Sequence, residues 1–85
     1  MNKFILKKYI QNLTLNDIYT IGTKQNIYLN NTELSKIHKY IKNNYQNYFN
    51  NKLSKEEILI DAKSILTINN YKTLIILYDK YKDKI

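Results

Sequence analysis

The sequence contains no cysteine, no proline and no arginine, and its 85 residues include a single glycine, Gly22. Without cysteine, neither a disulfide framework nor a thiolate metal site can form, and small secreted domains usually need such cross-links. The lack of proline and the scarcity of glycine remove most of the turn chemistry that β-hairpins and sandwiches require. We therefore expect a helical, cytoplasmic protein.

Long apolar runs are also missing. The N-terminal stretch from Phe4 to Leu6 is interrupted by Lys7 and Lys8, so no segment is long enough for a signal peptide or a membrane span. Hydrophobic residues nevertheless make up 44% of the sequence, which is enough for one continuous core. We expect a single domain over residues 1–85.

The positive charge is large and unevenly distributed. The formal net charge is +7, and every basic residue is a lysine. Residues 1–55 carry nine lysines against Asp17 and Glu33, whereas residues 56–85 carry five lysines and five acids. An anionic partner should therefore contact the first two thirds of the chain. The abundance of Lys, Asn, Ile and Tyr is also typical of AT-rich genomes, which would explain part of the charge without any function.

Helix starts are the strongest signal that is present. Three times a leucine precedes a capping residue, an acidic residue follows three positions later, and an apolar residue comes next. This is the combination of a capping box and a hydrophobic staple. The three pairs are Thr14 with Asp17, Asn30 with Glu33, and Ser54 with Glu57, preceded by Leu13, Leu29 and Leu53.

These starts and the apolar periodicity predict a compact all-α bundle of about five short helices. The predicted helices span residues 3–12, 15–25, 31–48, 55–66 and 69–83. Asn26 suits the left-handed position that ends a helix, and Ile27 can cover that end. Gly22 shares a face with Ile18 and predicts the close approach of another helix.

The first and third helices have recognisable apolar faces. In the third, the apolar side is formed by Leu34, Ile37, Ile41, Tyr45 and Tyr48. In the first, Phe4, Ile5, Tyr9 and Ile10 lie opposite Lys3, Lys7 and Lys8. We expect this helix to pack on the domain through that apolar face, with binding to an anionic membrane as the alternative.

Groups for catalysis are few. His38 is the only histidine, and neither a nucleophilic cysteine nor a glycine-rich phosphate loop is present. Glu57 and Asp61 stand four residues apart and could share a cation, but Glu57 is already needed as a cap and no further ligand lies nearby. We predict no enzymatic activity, cofactor, metal or small-molecule substrate.

The outer side of the third helix is the candidate partner-binding surface. It carries Lys36, Lys39, Tyr40, Asn43 and Asn47, which we call the basic face. The hypothesis is a non-catalytic module that binds a macromolecule, preferably a protein. The alternative is an RNA-binding or ribosome-associated protein of weak sequence specificity, because lysine lacks the forked geometry that reads guanine. The connection 26–30 is too long for a helix-turn-helix.

The order of segments resembles a known family. The run LTLNDIYTIGTKQNIYLNNTELSKIHKYIKNN and the closing YKTLIILYDKYK are similar to the YqfT-like family of small uncharacterised proteins of low-GC Gram-positive bacteria. The shared pattern consists of Leu13 and Thr14, Ile27 and Leu29, Thr32 to Leu34, and Leu77 to Lys82. The resemblance covers about residues 13–85. It implies a helical protein of the bacterial cytoplasm and transfers no functional residue.

Overall fold

The computed structural model describes residues 3–82, which form five α-helices and no strand. The helices are α1 Lys3–Gln11, α2 Leu15–Lys24, α3 Asn31–Phe49, α4 Lys55–Ile65 and α5 Ile68–Tyr81. This confirms the predicted all-α bundle, and the helix ends differ from the prediction by no more than two residues among those described. Residue 83, the predicted end of the fifth helix, lies outside the described residues.

The helix starts follow directly from the capping chemistry. All three predicted capping boxes are present, with the side chain of the cap and that of the third helical residue each accepting from the other's backbone amide. The Ser54 hydroxyl, for example, accepts from the Glu57 amide at 3.1 Å. A fourth cap, Thr67 at the start of α5, was not predicted. Its hydroxyl accepts from the Asn70 amide at 3.4 Å.

The end of α2 has the predicted left-handed asparagine. Asn26 adopts a φ of 63°, its amide donates to Thr23 O at 3.0 Å, and the Ile27 amide donates to Gly22 O at 2.8 Å. These two bonds constitute a Schellman motif. Asn51, with a φ of 60°, ends α3 in the same way, although the sequence indicated only a loop there.

Gly22 permits a close approach, but the approaching chain is not another helix. A Cβ atom at Gly22 would lie 2.8 Å from the carbonyl oxygen of Ile27 and 3.4 Å from Cδ1 of Leu29. Both atoms belong to the segment that folds back over the end of α2. The predicted helix contact is therefore wrong, and the Schellman turn explains why glycine is needed.

The longest helix, α3, organises the molecule. Helices α1, α2 and α4 pack against it, and α5 packs against α4. The core centres on Ile18, Ile27 and Leu29. The partly buried side chains packed around them are Leu34, Ile37, Ile41, Leu66, Leu74 and Leu77. The third helix thus buries the predicted apolar face at Leu34, Ile37 and Ile41.

Helix α1 docks through a different face from the predicted one. Leu6 and Ile10 face the interior, whereas Phe4, Ile5 and Tyr9 are 71%, 59% and 56% exposed. Leu6, Ile10 and Leu13 follow one another at helical spacing and therefore lie on the same side of the chain. Because Leu13, just beyond the helix, is buried, α1 buries the side that carries Leu6 and Ile10. The prediction was wrong for Phe4, Ile5 and Tyr9 and correct for Ile10.

Two lysines secure α1 and α3 to each other. Lys3 Nζ donates to the Phe49 carbonyl at the end of α3, at 2.7 Å, and Lys42 Nζ donates to the carbonyls of Ile10 and Gln11 at the end of α1. Ammonium groups at helix C-termini satisfy carbonyls that lack intrahelical partners and complement the negative end of the helix dipole. Part of the N-terminal positive charge therefore has a structural role.

Candidate binding surface

Four of the five residues of the basic face are exposed. Lys36, Lys39, Asn43 and Asn47 lie on the outer side of α3. Positions 36, 43 and 47 recur at intervals of seven and four residues, which places them on one stripe along the helix. The regular geometry of α3 thus presents two ammonium groups and two amides to solvent.

Tyr40 does not belong to this exposed group. It is half-buried between α3 and α4, where its hydroxyl donates to Asp61 Oδ2 at 2.5 Å. Burial and the neighbouring carboxylate of Asp61 raise the pKa of the Tyr40 phenol. The expectation that Tyr40 stands on the outer face is wrong, because α4 packs on this flank of α3. Its ring is not free to stack on a base.

Glu57 and Asp61, which were considered as a possible cation site, are each engaged in hydrogen bonds with another residue. Asp61 accepts from Tyr40, while Glu57 Oε1 accepts from the backbone amide and hydroxyl of Ser54 at 3.2 and 3.0 Å. Over residues 3–82, no three carboxylate or histidine side chains cluster as metal ligands. The two carboxylates instead attach α4 to its own cap and to α3.

The acidic side chains of the described part are all engaged. Each accepts a hydrogen bond from a capping amide or a hydroxyl group, or forms an ion pair with a lysine. These acidic residues are Asp17, Glu33, Glu56, Glu57, Asp61 and Asp79. The only ion pair found in this part joins Lys82 and Asp79 at 3.9 Å. Lys36 and Lys39 consequently have no acidic partner among the described residues, and their charge faces solvent.

His38 has a structural contact. The half-buried ring places Nε2 3.1 Å from the Leu13 carbonyl oxygen, in the connection between α1 and α2. In the tautomer protonated at Nε2, the ring donates this bond. His38 therefore attaches α3 to the first helical connection.

A buried polar cluster joins the start of α3 to the start of α5, and the sequence did not reveal it. Glu33 is 2% exposed. Its carboxylate accepts from the amides of Asn30 and Thr67 at 3.0 and 2.8 Å, and from Asn70 Nδ2 at 3.1 Å. Asn70 Nδ2 also lies 3.1 Å from the Tyr28 carbonyl. One side chain thus caps α3 and binds a segment 34 residues away.

The protonation of Glu33 follows from these bonds. Burial alone would raise its pKa, but donors from Asn30, Thr67 and Asn70 together outweigh burial and hold the pKa below its ordinary value. The carboxylate is therefore ionised at neutral pH. The signal in the sequence was the capping box at Glu33, but nothing in the local pattern pointed to Asn70.

Comparison with known proteins adds no assignment. No family model matches the sequence, no match was found among curated proteins, and none was found among solved structures. Within the described part, none of the helices combines the length and apolar character needed to span a membrane.

Proposed function

We propose that this protein is a non-catalytic helical module that binds an acidic protein partner through Lys36, Lys39, Asn43 and Asn47. The main support is that the two lysines are exposed and lack an acidic partner among the described residues, while every described acid is engaged elsewhere. An acidic surface would supply the missing counter-charges, and the amides of Asn43 and Asn47 can both donate and accept hydrogen bonds.

The non-catalytic part of the proposal rests on the roles of the polar side chains. His38 binds a backbone carbonyl, Asp61 binds Tyr40, and Glu33 and Glu57 hold helix starts. Each of these four acid–base groups thus has a structural hydrogen bond. Location in the cytoplasm and membership of the YqfT-like family stay predictions from the sequence.

A protein partner is favoured over RNA by the position of Tyr40. Proteins that bind single-stranded RNA usually combine cationic groups with aromatic rings on which bases stack. Here the aromatic ring of the basic face is held against α4 by its bond to Asp61. Two lysines and two amides beside a half-buried ring fit a polar protein interface better than an RNA groove.

The test is the double substitution Lys36→Glu and Lys39→Glu. Because both side chains are exposed, the free energy of unfolding should change by no more than about 0.5 kcal/mol per site. Partner capture from the native cell should be lost with this variant and should survive nuclease treatment with the wild type.

A matched control is provided by Lys63→Glu and Lys72→Glu, which change exposed lysines on α4 and α5. Both double variants have a formal charge of +3, four less than the +7 of the wild type. If both variants lose the partner to the same extent, the net charge and not the α3 surface governs binding. If both keep it, the α3 surface is not the binding site. If nuclease releases the partner, the RNA alternative replaces the proposal.

A further inference from the structure

The centre of the bundle contains an apolar cavity of about 510 Å³. All five helices contribute to its wall, including Leu6 from α1, Ile18 from α2, Ile41 from α3, Ala62 from α4 and Leu74 from α5. Protein interiors normally leave few voids larger than a water molecule. Because the lining is apolar and the space is partly open to solvent, an apolar ligand can enter it and remove that lining from water.

The packing of the core agrees with an unfilled centre. In the described part only five apolar side chains are buried, and the least exposed of them, Ile18, still retains 6% of its surface. Helix α4 approaches both α3 and α5, but within residues 3–82 neither α4 nor α5 makes a close backbone approach to α1 or α2. Side chains of Leu66, Leu74 and Leu77 do reach Ile18, Ile27 and Leu29, so the space between these groups of helices is only partly filled.

A second, polar pocket of about 480 Å³ adjoins the cavity. The two spaces share Tyr48, Phe49 and Leu53 as a common wall. The ionisable groups around the polar pocket are Lys3, Lys52, Lys55 and Glu57, which give a formal charge of 3 − 1 = +2. An apolar space therefore lies beside a pocket of similar volume that carries a net positive formal charge.

We propose that the cavity and the polar pocket together bind a long-chain fatty acid, with the alkyl chain in the cavity and the carboxylate beside Lys3, Lys52 and Lys55. An apolar cavity of about 150 Å³ can hold one six-carbon benzene, so about 510 Å³ has room for at most roughly twenty carbon atoms. A partner helix, about 10 to 12 Å across, would need the bundle to open. The ligand is bound and undergoes no reaction, and its site is separate from the proposed protein-binding surface.

Isothermal titration calorimetry with saturated fatty acids of about eight to fourteen carbons, below their micelle concentrations, tests the alkyl part. The dissociation constant should fall about fourfold for each added CH₂ group until the cavity is full. The melting temperature should rise with ligand, because the ligand binds the folded state. A dissociation constant independent of chain length, or a lowered melting temperature, would overturn the proposal.

Substitutions at α4 distinguish the cavity from the outer surface. Ala62→Leu adds side-chain volume inside the cavity and should weaken fatty-acid binding at least tenfold, whereas Ser64→Leu adds the same side chain at an exposed position and should have no effect. Circular dichroism establishes that each variant is folded. Equal binding by the two variants would place the ligand outside the cavity.

The charged pocket is tested separately, which keeps the proposal falsifiable if Ala62→Leu does not fold. Lys52→Glu with Lys55→Glu should weaken tetradecanoate binding roughly tenfold and leave binding of the uncharged tetradecanol unchanged. The variant Lys36→Glu with Lys39→Glu should bind both as the wild type does. Equal loss of the acid and the alcohol would contradict the proposed carboxylate position. The proposal would also be overturned if light scattering showed that the ligand-free chain is a dimer and no fatty acid bound. The cavity would then be the contact surface for a second copy of the chain.

Discussion

Replacing Glu33 by glutamine tests whether one buried carboxylate joins the two ends of the bundle. Glu33→Gln keeps the size of the side chain but replaces one acceptor oxygen by an NH₂ group. The carboxylate receives bonds from Asn30, Thr67 and Asn70, so the NH₂ group must face at least one of these donors. A net hydrogen bond to a charged group contributes about 1.5 to 3 kcal/mol, and the remaining bonds also weaken without the charge.

We therefore expect Glu33→Gln to lower the free energy of unfolding by about 2 to 4 kcal/mol. In a domain of this size, the melting temperature should fall by roughly 8 to 30 °C. Urea denaturation monitored by circular dichroism measures the first quantity, and a thermal melt measures the second. Such a loss is a large fraction of the total stability of a small domain.

Glu57→Gln is the matched control, because Glu57 occupies the same capping-box position in α4 but is exposed and binds only Ser54 among the described residues. Glutamine functions at this position of a capping box, so the cost should be well below about 1 kcal/mol. Equal effects of the two substitutions would refute the idea that Glu33 acts beyond its own helix.

The pH dependence provides an independent check on Glu33. The folded state lowers the pKa of this carboxylate, so its ionisation stabilises the fold fully above its ordinary pKa, near 4.5. That stabilisation is lost as the pH falls through the folded-state pKa. The stability difference between the wild type and Glu33→Gln should therefore be constant near neutral pH and narrow below about pH 4.5. A difference that does not change with acid would show that Glu33 does not carry the charge.

Three further substitutions test single contacts. Ser54→Ala should cost about 0.5 to 2 kcal/mol in a urea melt, because α4 loses its cap; an unchanged midpoint would show that the cap is dispensable. Gly22→Ala should destabilise by about 1 to 3 kcal/mol despite the better helix propensity of alanine, because its Cβ would lie 2.8 Å from Ile27 O, and a stabilised variant would contradict this. Tyr40→Phe should cost about 1 to 2 kcal/mol at pH 7, by loss of the bond to Asp61. Because the folded state raises the pKa of Tyr40 above its ordinary value of 10.0, its contribution is complete below about pH 10 and is lost gradually as the pH rises from there through the folded-state pKa, so the difference should narrow only in strongly alkaline melts.

The helices themselves could be predicted because their signals are local. Each capping box lies within four consecutive residues, and the left-handed Asn26 stands two positions after the last residue of the helix it ends. Such interactions depend on the backbone of one segment, and their donors and acceptors can be identified from sequence spacing. The same holds for the exposure of Lys36 and Asn43, since helical periodicity places them away from the apolar side of α3.

The errors concern residues whose environment comes from distant segments. Tyr40 was placed on the outer face because periodicity describes α3 alone, but the packing of α4 covers that flank and supplies Asp61 as a partner. Phe4 and Ile5 had the same apolar character as Leu6, and only the position of Leu13 against the core selects the face that α1 buries.

The local sequence therefore accounts for where each helix begins and ends and for the all-α class. Packing among helices accounts for the role of Glu33, whose capping position is evident from its neighbours but whose bond to Thr67 spans 34 residues. It also creates the central cavity, to which all five helices contribute. Hydrogen bonds and cavities of this kind depend on distances between segments, and those distances exist only once the helices have packed.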